Sequence, residues 1–205
     1  MRQRRNRYGL GLLLLTIACS MAFALQAAEH AEPYGQGPAG TPMNVNEELP
    51  TPHIIGKLLV SSPAFANGKT IPAQYTCKGD DISPPLAIHQ IPKGTRSVAL
   101  IVDDPDAPMG TWTHWVVWNL FPGQNETITL APNSLPPESV QGINSFRRKA
   151  YGGPCPPGGT HRYFFKAYAL DVEMPADAVY KSHSLLEDIQ PHIIAQGELM
   201  GTFKK

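Results

Sequence analysis

Three polar clusters interrupt apolar stretches of this 205-residue chain, and each holds side chains able to handle protons or anions. The first is Asp103-Asp104-Pro105-Asp106-Ala107-Pro108. Its prolines fix φ and halt strand pairing, which places the acids on a rigid turn at a strand end. A plain solvated acidic turn is the alternative. The second is Thr113-His114-Trp115, where a histidine enters a strongly apolar stretch. Such a residue is either a ligand donor or a satisfied core histidine. The third runs from Tyr151 to Tyr163, YGGPCPPGGTHRY. Its glycines permit close approach of backbone to a ligand, and His161 and Tyr163, two apart, share one strand face. An ordinary connecting loop is the alternative there.

The elements that must position these clusters are mostly β. Ser97–Val102 (SVALIV) is a continuous apolar run, as expected of a strand covered on both faces. Trp115–Phe121 (WVVWNLF) is a second, rich in β-branched and aromatic residues. Arg162–Val172 (RYFFKAYALDV) is the longest, apolar at even and odd positions alike, which predicts a central strand between packed layers. Pro/Gly turns such as Ile91-Pro92-Lys93-Gly94 and Phe121-Pro122-Gly123 separate them. One amphipathic helix is expected near the end. Ser184 with Glu187 fits a capping box, Leu185, Leu186, Ile189 and Ile193 share a face, Pro191 divides the helix and Gly197 stops it. The expected architecture is a mainly β sandwich of two sheets with a few short helices, one of them C-terminal.

The length suits a single domain with a tail. With 42% hydrophobic and 17% charged residues the bulk should be globular, and 21 prolines with 18 glycines favour a turn-rich β fold. Seventeen basic and 17 acidic groups balance, which argues against a nucleic-acid binder. Residues 1–28 read as a signal peptide. Arg2, Arg4, Arg5 and Arg7 form a basic n-region, Leu10–Ala18 an apolar core too short to span a bilayer, and Ala22-Phe23-Ala24 a cleavage site, with Ala28 as a second option. Lipidation at Cys19 ranks lower, because Thr16-Ile17-Ala18-Cys19 lacks the usual leucine. Loss of the four arginines leaves 13 basic against 17 acidic groups, a net charge of −4. The expected location is therefore periplasmic or secreted. Residues 29–56, with Pro33, Pro38, Pro42, Pro50 and Pro52 among Gly and polar residues, read as a flexible tether, and 57–205 as the folded domain. Beyond the leader two cysteines remain, Cys77 and Cys155. One disulfide or two separate thiols both fit an even pair in an exported chain.

Taken in order, the clusters D-P-D-A-P, T-H-W-V-V-W-N and Y-G-G-P-C-P-P-G-G-T-H-R-Y-F-F resemble the phosphatidylethanolamine-binding protein family, also called Raf kinase inhibitor proteins, and most closely its bacterial YbhB/YbcL-type branch. The resemblance runs from about Leu58 to Phe203 and includes Ile71–Cys77, Ser83–Leu86, Gly94–Ser97 and Tyr168–Asp171. It implies a two-sheet fold with a small pocket for anions such as phosphate and phospholipid head groups, needing no cofactor or metal. Carried over by motif, the ligand-binding residues are Asp104, Asp106, His114, Gly153, Pro154, His161 and Tyr163. On this reading both imidazoles donate to phosphate oxygens, the Tyr163 hydroxyl and the Gly153 N–H also donate, and the acids orient the imidazoles or accept from an ammonium group. Homodimers occur among relatives, and modulation of a partner such as a kinase or protease belongs to the family's range. An exported chain does not meet a cytosolic kinase of its own cell. The trio Arg147-Arg148-Lys149 reads as solvated surface, or as a basic patch drawing acidic partners to the pocket.

Two other classes compete. A metal-dependent hydrolase would use the two histidines and two aspartates to hold a divalent ion and activate water. A protein-binding module would instead present the pocket rim to a macromolecule. Serine hydrolysis, zincin, P-loop and dinucleotide chemistries lack their G-x-S-x-G, H-E-x-x-H and Gly-rich motifs. The binding-protein reading is preferred to an enzyme.

Overall fold

The computed structural model describes residues 56–123 and 125–205. The expected leader (1–28) and all but the last residue of the expected tether (29–56) lie outside the described residues.

Among the described residues nine strands form two sheets: β1 (Gly56–Lys57), β2 (Leu59–Ser61), β3 (Leu86–His89), β4 (Ser97–Asp104), β5 (Trp112–Leu120), β6 (Ile128–Leu130), β7 (Val140–Gln141), β8 (Thr160–Leu170) and β9 (Ile193–Lys204). The large sheet has the order β1-β9-β8-β4-β5-β7 and the small one β2-β3-β6. The three apolar runs of the sequence become β4, β5 and β8, at the centre of the large sheet. Both faces of β4 are covered, and all eight of its residues are buried. Val98, Leu100 and Val102 join the layer between the sheets, where Val60, Leu86, Ile88 and Leu130 of the small sheet meet Tyr163 and Phe165. Ala99 and Ile101 face the other way, under a helix α1 (Ser182–Ile189) that contributes Leu185 and Ile189. Period-2 alternation between two apolar layers explains why these strands read as unbroken apolar runs.

Two expectations need correction. The acids were placed on a turn, yet Asp103 and Asp104 complete β4. The proline constraint begins only at Pro105, and the two residues before it are free to pair. The helix is also shifted and shorter. It starts at Ser182, so Ser184 is the third helical residue, and its hydroxyl accepts from the Lys181 N–H at 3.1 Å. Ile193 and Gly197 belong not to a helix but to β9, which runs antiparallel to β8. Pro191 is the reason: it lacks an N–H, the chain tightens into a 3₁₀ turn at Gln190–His192, and the strand follows. Gly197 is required by close approach, since a Cβ there would lie 2.1 Å from the Leu58 carbonyl oxygen.

Candidate functional site

The site forms where β4 ends and β8 begins, and a β-bulge organises it. Val102 pairs with Trp115 and Asp103 with Thr113, leaving His114 as the extra residue of β5. Strict alternation would put Thr113 and Trp115 on one face. With the bulge, Thr113 turns to Asp103 on the outer face, while Trp112, His114 and Trp115 all turn inward. His161 and Tyr163 reach the same inner face from β8, as their spacing predicts.

A cavity of about 170 Å³ lies there, with Asp104, His114 and His161 as its polar lining. Its walls are apolar: Pro108, Trp112, Phe146, Pro156 and Pro157, joined by Cys155. Trp112 and the His114 ring each meet Phe146 edge-on, at 5.3 and 5.4 Å between centroids. Elsewhere a broader depression of about 670 Å³ runs along Lys57, Lys166, Tyr168 and Glu198. It holds none of the expected ligand-binding residues, and Glu198 shares its lining with the two lysines. The smaller, mostly apolar cavity is the better candidate.

The two histidines differ in their partners. His161 Nδ1 lies 2.8 Å from Asp104 Oδ2, and the other oxygen of Asp104 accepts from the Asp106 N–H at 2.9 Å. The carboxylate thus orients the ring and compensates any charge on it, leaving Nε2 for the cavity. His114 Nδ1 instead faces the Gly152 carbonyl at 2.5 Å. A carbonyl only accepts, so the proton sits on Nδ1, and the Nε2 of the neutral ring is an acceptor. Burial pushes the His114 imidazolium pKa below its ordinary value, against the opposing pull of the Gly152 carbonyl and of Asp104, Asp103 and Asp81. The expectation that both imidazoles donate is therefore corrected: the neutral His114 accepts. Tyr163 is fully buried, meets His114 edge-on at 5.2 Å, and its hydroxyl makes no hydrogen bond among the described residues. Burial, then the Asp104 charge, push its pKa up, so the phenol keeps its proton.

Three expected ligand residues serve the frame instead. Asp106 is held by Arg162 through the backbone N–H and Nε at 2.9 Å and through Nη2 at 2.7 Å. The guanidinium hydrogen bond holds its pKa down at about 2. It clamps the acidic turn to the start of β8 and does not line the cavity. The Gly153 N–H is already spent on Asp81 Oδ1 at 2.6 Å, and a Cβ at Gly153 would stand 2.7 Å from both Asp81 Oδ1 and the Tyr75 carbonyl oxygen. Pro154 is buried and its carbonyl accepts from the Cys77 N–H at 3.1 Å. Beside it Cys77 and Cys155 are bonded, with an S–S distance of 2.10 Å. These contacts fasten the Tyr151–Cys155 loop to the Tyr75–Asp81 loop.

Part of the cavity wall lies outside the sequence motifs. Trp112 and Phe146 flank the clusters without belonging to them, and only the proline run at 154–157 hinted at an apolar lining. Asp81, which holds Gly153, carried no signal beyond an acidic pair. Arg147, Arg148 and Lys149 are exposed beside Phe146, with the Arg148 guanidinium 5.4 Å from its ring centre. The hydrolase alternative needs the two aspartates and two histidines to converge. Asp106 points to Arg162, and among the described residues no group of three or more His, Cys, Asp or Glu side chains is placed to hold a metal ion.

Comparison with known proteins agrees with this architecture. The family model described as phosphatidylethanolamine-binding protein matches residues 61–204. A protein of Chlamydia pneumoniae named UPF0098 protein is 46% identical over 149 residues, covering 70% of this chain and 97% of that one. One of the same name from Archaeoglobus fulgidus is 42% identical over 158 residues, and there the match spans 74% of this chain and 53% of the relative. Among solved structures, a phosphatidylethanolamine-binding protein homolog from Chlamydia trachomatis superposes with a TM-score of 0.68 at 42% identity, covering 73% of this chain and 99% of that one. E. coli YbcL, described as a member of the mammalian family, does so with a TM-score of 0.67 at 30% identity over 73% and 99% of the two chains. With both sheets, the motif order and most of the described residues accounted for by one family, this chain belongs to the phosphatidylethanolamine-binding proteins.

Proposed function

We propose that this protein is an exported binding protein that takes a small anionic or phosphorylated group, such as phosphate or a phospholipid head group, in the cavity between His114 and His161. The observation that carries the reading is the buried Asp104–His161 pair opening into that cavity, because an imidazolium there would be a donor compensated by the carboxylate inside apolar walls. Its 170 Å³ equals the share of about five or six liquid waters, room for a head group but not for an acyl chain. Among the described lining residues Cys155 is bonded and offers no thiol nucleophile. Export rests on the basic n-region, short apolar core and A-x-A site of residues 1–28.

Calorimetric titration of the periplasm-purified protein with O-phosphoethanolamine tests the reading. Saturable binding that is lost in His161→Ala, with the melting curve preserved, is the expected result. Equal titrations in the two proteins would reject the site. Recovery of the unprocessed chain from the cytoplasm would reject export.

A further inference from the structure

His114 is locked from both sides. Its Nδ1 donates to the Gly152 carbonyl, and its own carbonyl accepts from the Gly152 N–H at 3.0 Å. Asn144 Nδ2 reaches the same His114 carbonyl at 3.3 Å and the Ala150 carbonyl at 2.7 Å, tying the bulge to the neighbouring loop. The ring is thus held in one tautomer by backbone, on a bulge that only repacking of two loops would undo. With Nδ1 turned to the loop, the polar atom left to the cavity is Nε2 carrying a lone pair. An anion site with a built-in acceptor is paradoxical unless the anion brings a proton of its own.

We propose that the cavity recognises its phospho group in the singly protonated, monoanionic form, with His114 Nε2 accepting the ligand's P–OH. This rests on the phospho-ligand reading above and narrows it. The charged neighbours agree. Asp104 and Asp103 from β4 and Asp81 from the Tyr75–Asp81 loop are all acidic groups around the ring, so a second negative charge on the ligand is opposed. From β8 come His161, paired with Asp104, and the buried Tyr163 phenol, which packs against the His114 ring and does not itself line the cavity. Arg148 sits beyond Phe146 with its guanidinium 3.7 Å from Asp81, outside the cavity lining. Both Asp104 oxygens are engaged, by His161 Nδ1 and by the Asp106 N–H, and an imidazolium at His161 would donate from Nε2, so an acceptor at His114 facing that donor matches ROPO₃H⁻, which has one hydroxyl and several acceptor oxygens. A fully ionised sulfate ester has acceptors only, and its oxygen would meet the His114 lone pair.

The test uses two head groups of equal charge that differ by that single proton. O-phosphoethanolamine and ethanolamine O-sulfate are titrated calorimetrically into the purified protein at a pH of about 5.5, below the phosphomonoester's second pKa of about 6. The phosphate ester should bind at least ~10-fold more tightly, the usual consequence of a buried acceptor left against another acceptor. At a pH of about 8, where the free ester is dianionic, its binding should take up close to one proton, read from heats in buffers of different ionisation enthalpy. In His114→Gln, whose amide can donate, the preference for phosphate should shrink or reverse. Equal affinities of the two esters for the unaltered protein, or binding at pH ~8 without proton uptake, would overturn the proposal while leaving the phospho-ligand reading standing. Failure of both esters to bind would remove both. Should His114→Gln not fold, the two measurements on the unaltered protein decide alone.

Discussion

On the outer face of the large sheet the end of β4 is closed. Asp103 accepts from Thr113 Oγ1 at 3.1 Å and meets Lys166 Nζ at 3.3 Å, while the same threonine hydroxyl lies 2.7 Å from that of Ser182 at the start of α1. On the inner face, one residue later, Asp104 meets His161 at 2.8 Å and borders an open cavity. Both acids are 4% exposed, so burial does not separate them. Partners do. Asp103 is saturated by groups that themselves end in helix and sheet, whereas Asp104 orients a ring with a second nitrogen to spare. Adjacent residues of identical type thus divide into a structural and a cavity-facing role because a strand sends successive side chains to opposite layers.

The contrast can be broken most severely at the disulfide that fastens the cavity-side loops. Replacing both Cys77 and Cys155 by serine opens a cross-link spanning 78 residues, and should lower unfolding free energy by roughly 2–4 kcal/mol. Denaturant titration measures this, and an unchanged midpoint would mean the two loops hold without the bond. Asp104→Asn comes next. It keeps the shape but loses the charge compensating His161, so affinity for phosphoethanolamine should fall by about 10- to 100-fold with the fold intact. Asp103→Asn is the control on the opposite face: binding within about twofold of the unaltered protein and stability down by about 1–2 kcal/mol. Equal loss of binding in both variants would erase the distinction between the faces.

Gly153→Ala probes the same wall from behind. Its Cβ would collide with backbone and carboxylate of the Tyr75–Asp81 loop, so a loss of about 1–3 kcal/mol and a weakened site are expected. A thermal shift indistinguishable from zero would show that the loop yields freely. The smallest effect concerns acid. His114 has a lowered pKa in the fold, so the unfolded chain binds the proton first. Its contribution is complete above the ordinary value of 6.5 and fades as pH falls below it. Asp106 behaves likewise lower down, its contribution present above 3.8 and lost as pH falls toward about 2. Stability followed from neutral to acid pH should therefore decline in two stages, and His114→Gln should flatten the upper one. An unflattened upper stage would assign that proton to another group.

Three apolar runs in the sequence are the three central strands, because a strand buried on both faces must be apolar at every position. The motif order was equally legible, since glycines and prolines around the clusters are demanded by local backbone geometry. Less legible were features that depend on a distant partner. β9 shares its residues with a plausible helical face, and only pairing along the whole length of β8 selects the strand. Asp106 reads as a ligand in the sequence, but Arg162 takes both of its oxygens. Trp112 and Phe146 carried no motif, because an apolar wall is defined by what it faces.

Residue types and their spacing by themselves determined the central strands and the pair His161 and Tyr163 on one face, since each follows from local stereochemistry along a single stretch of chain, while the family was carried by the resemblance of the ordered motifs. Only the tertiary structure decided which acids reach the cavity and which nitrogen of His114 holds the proton. Those outcomes depend on a bulge, on carbonyls and on a guanidinium brought together from separate strands, and a hydrogen bond is directional enough that its partner's position as well as its identity sets the chemistry.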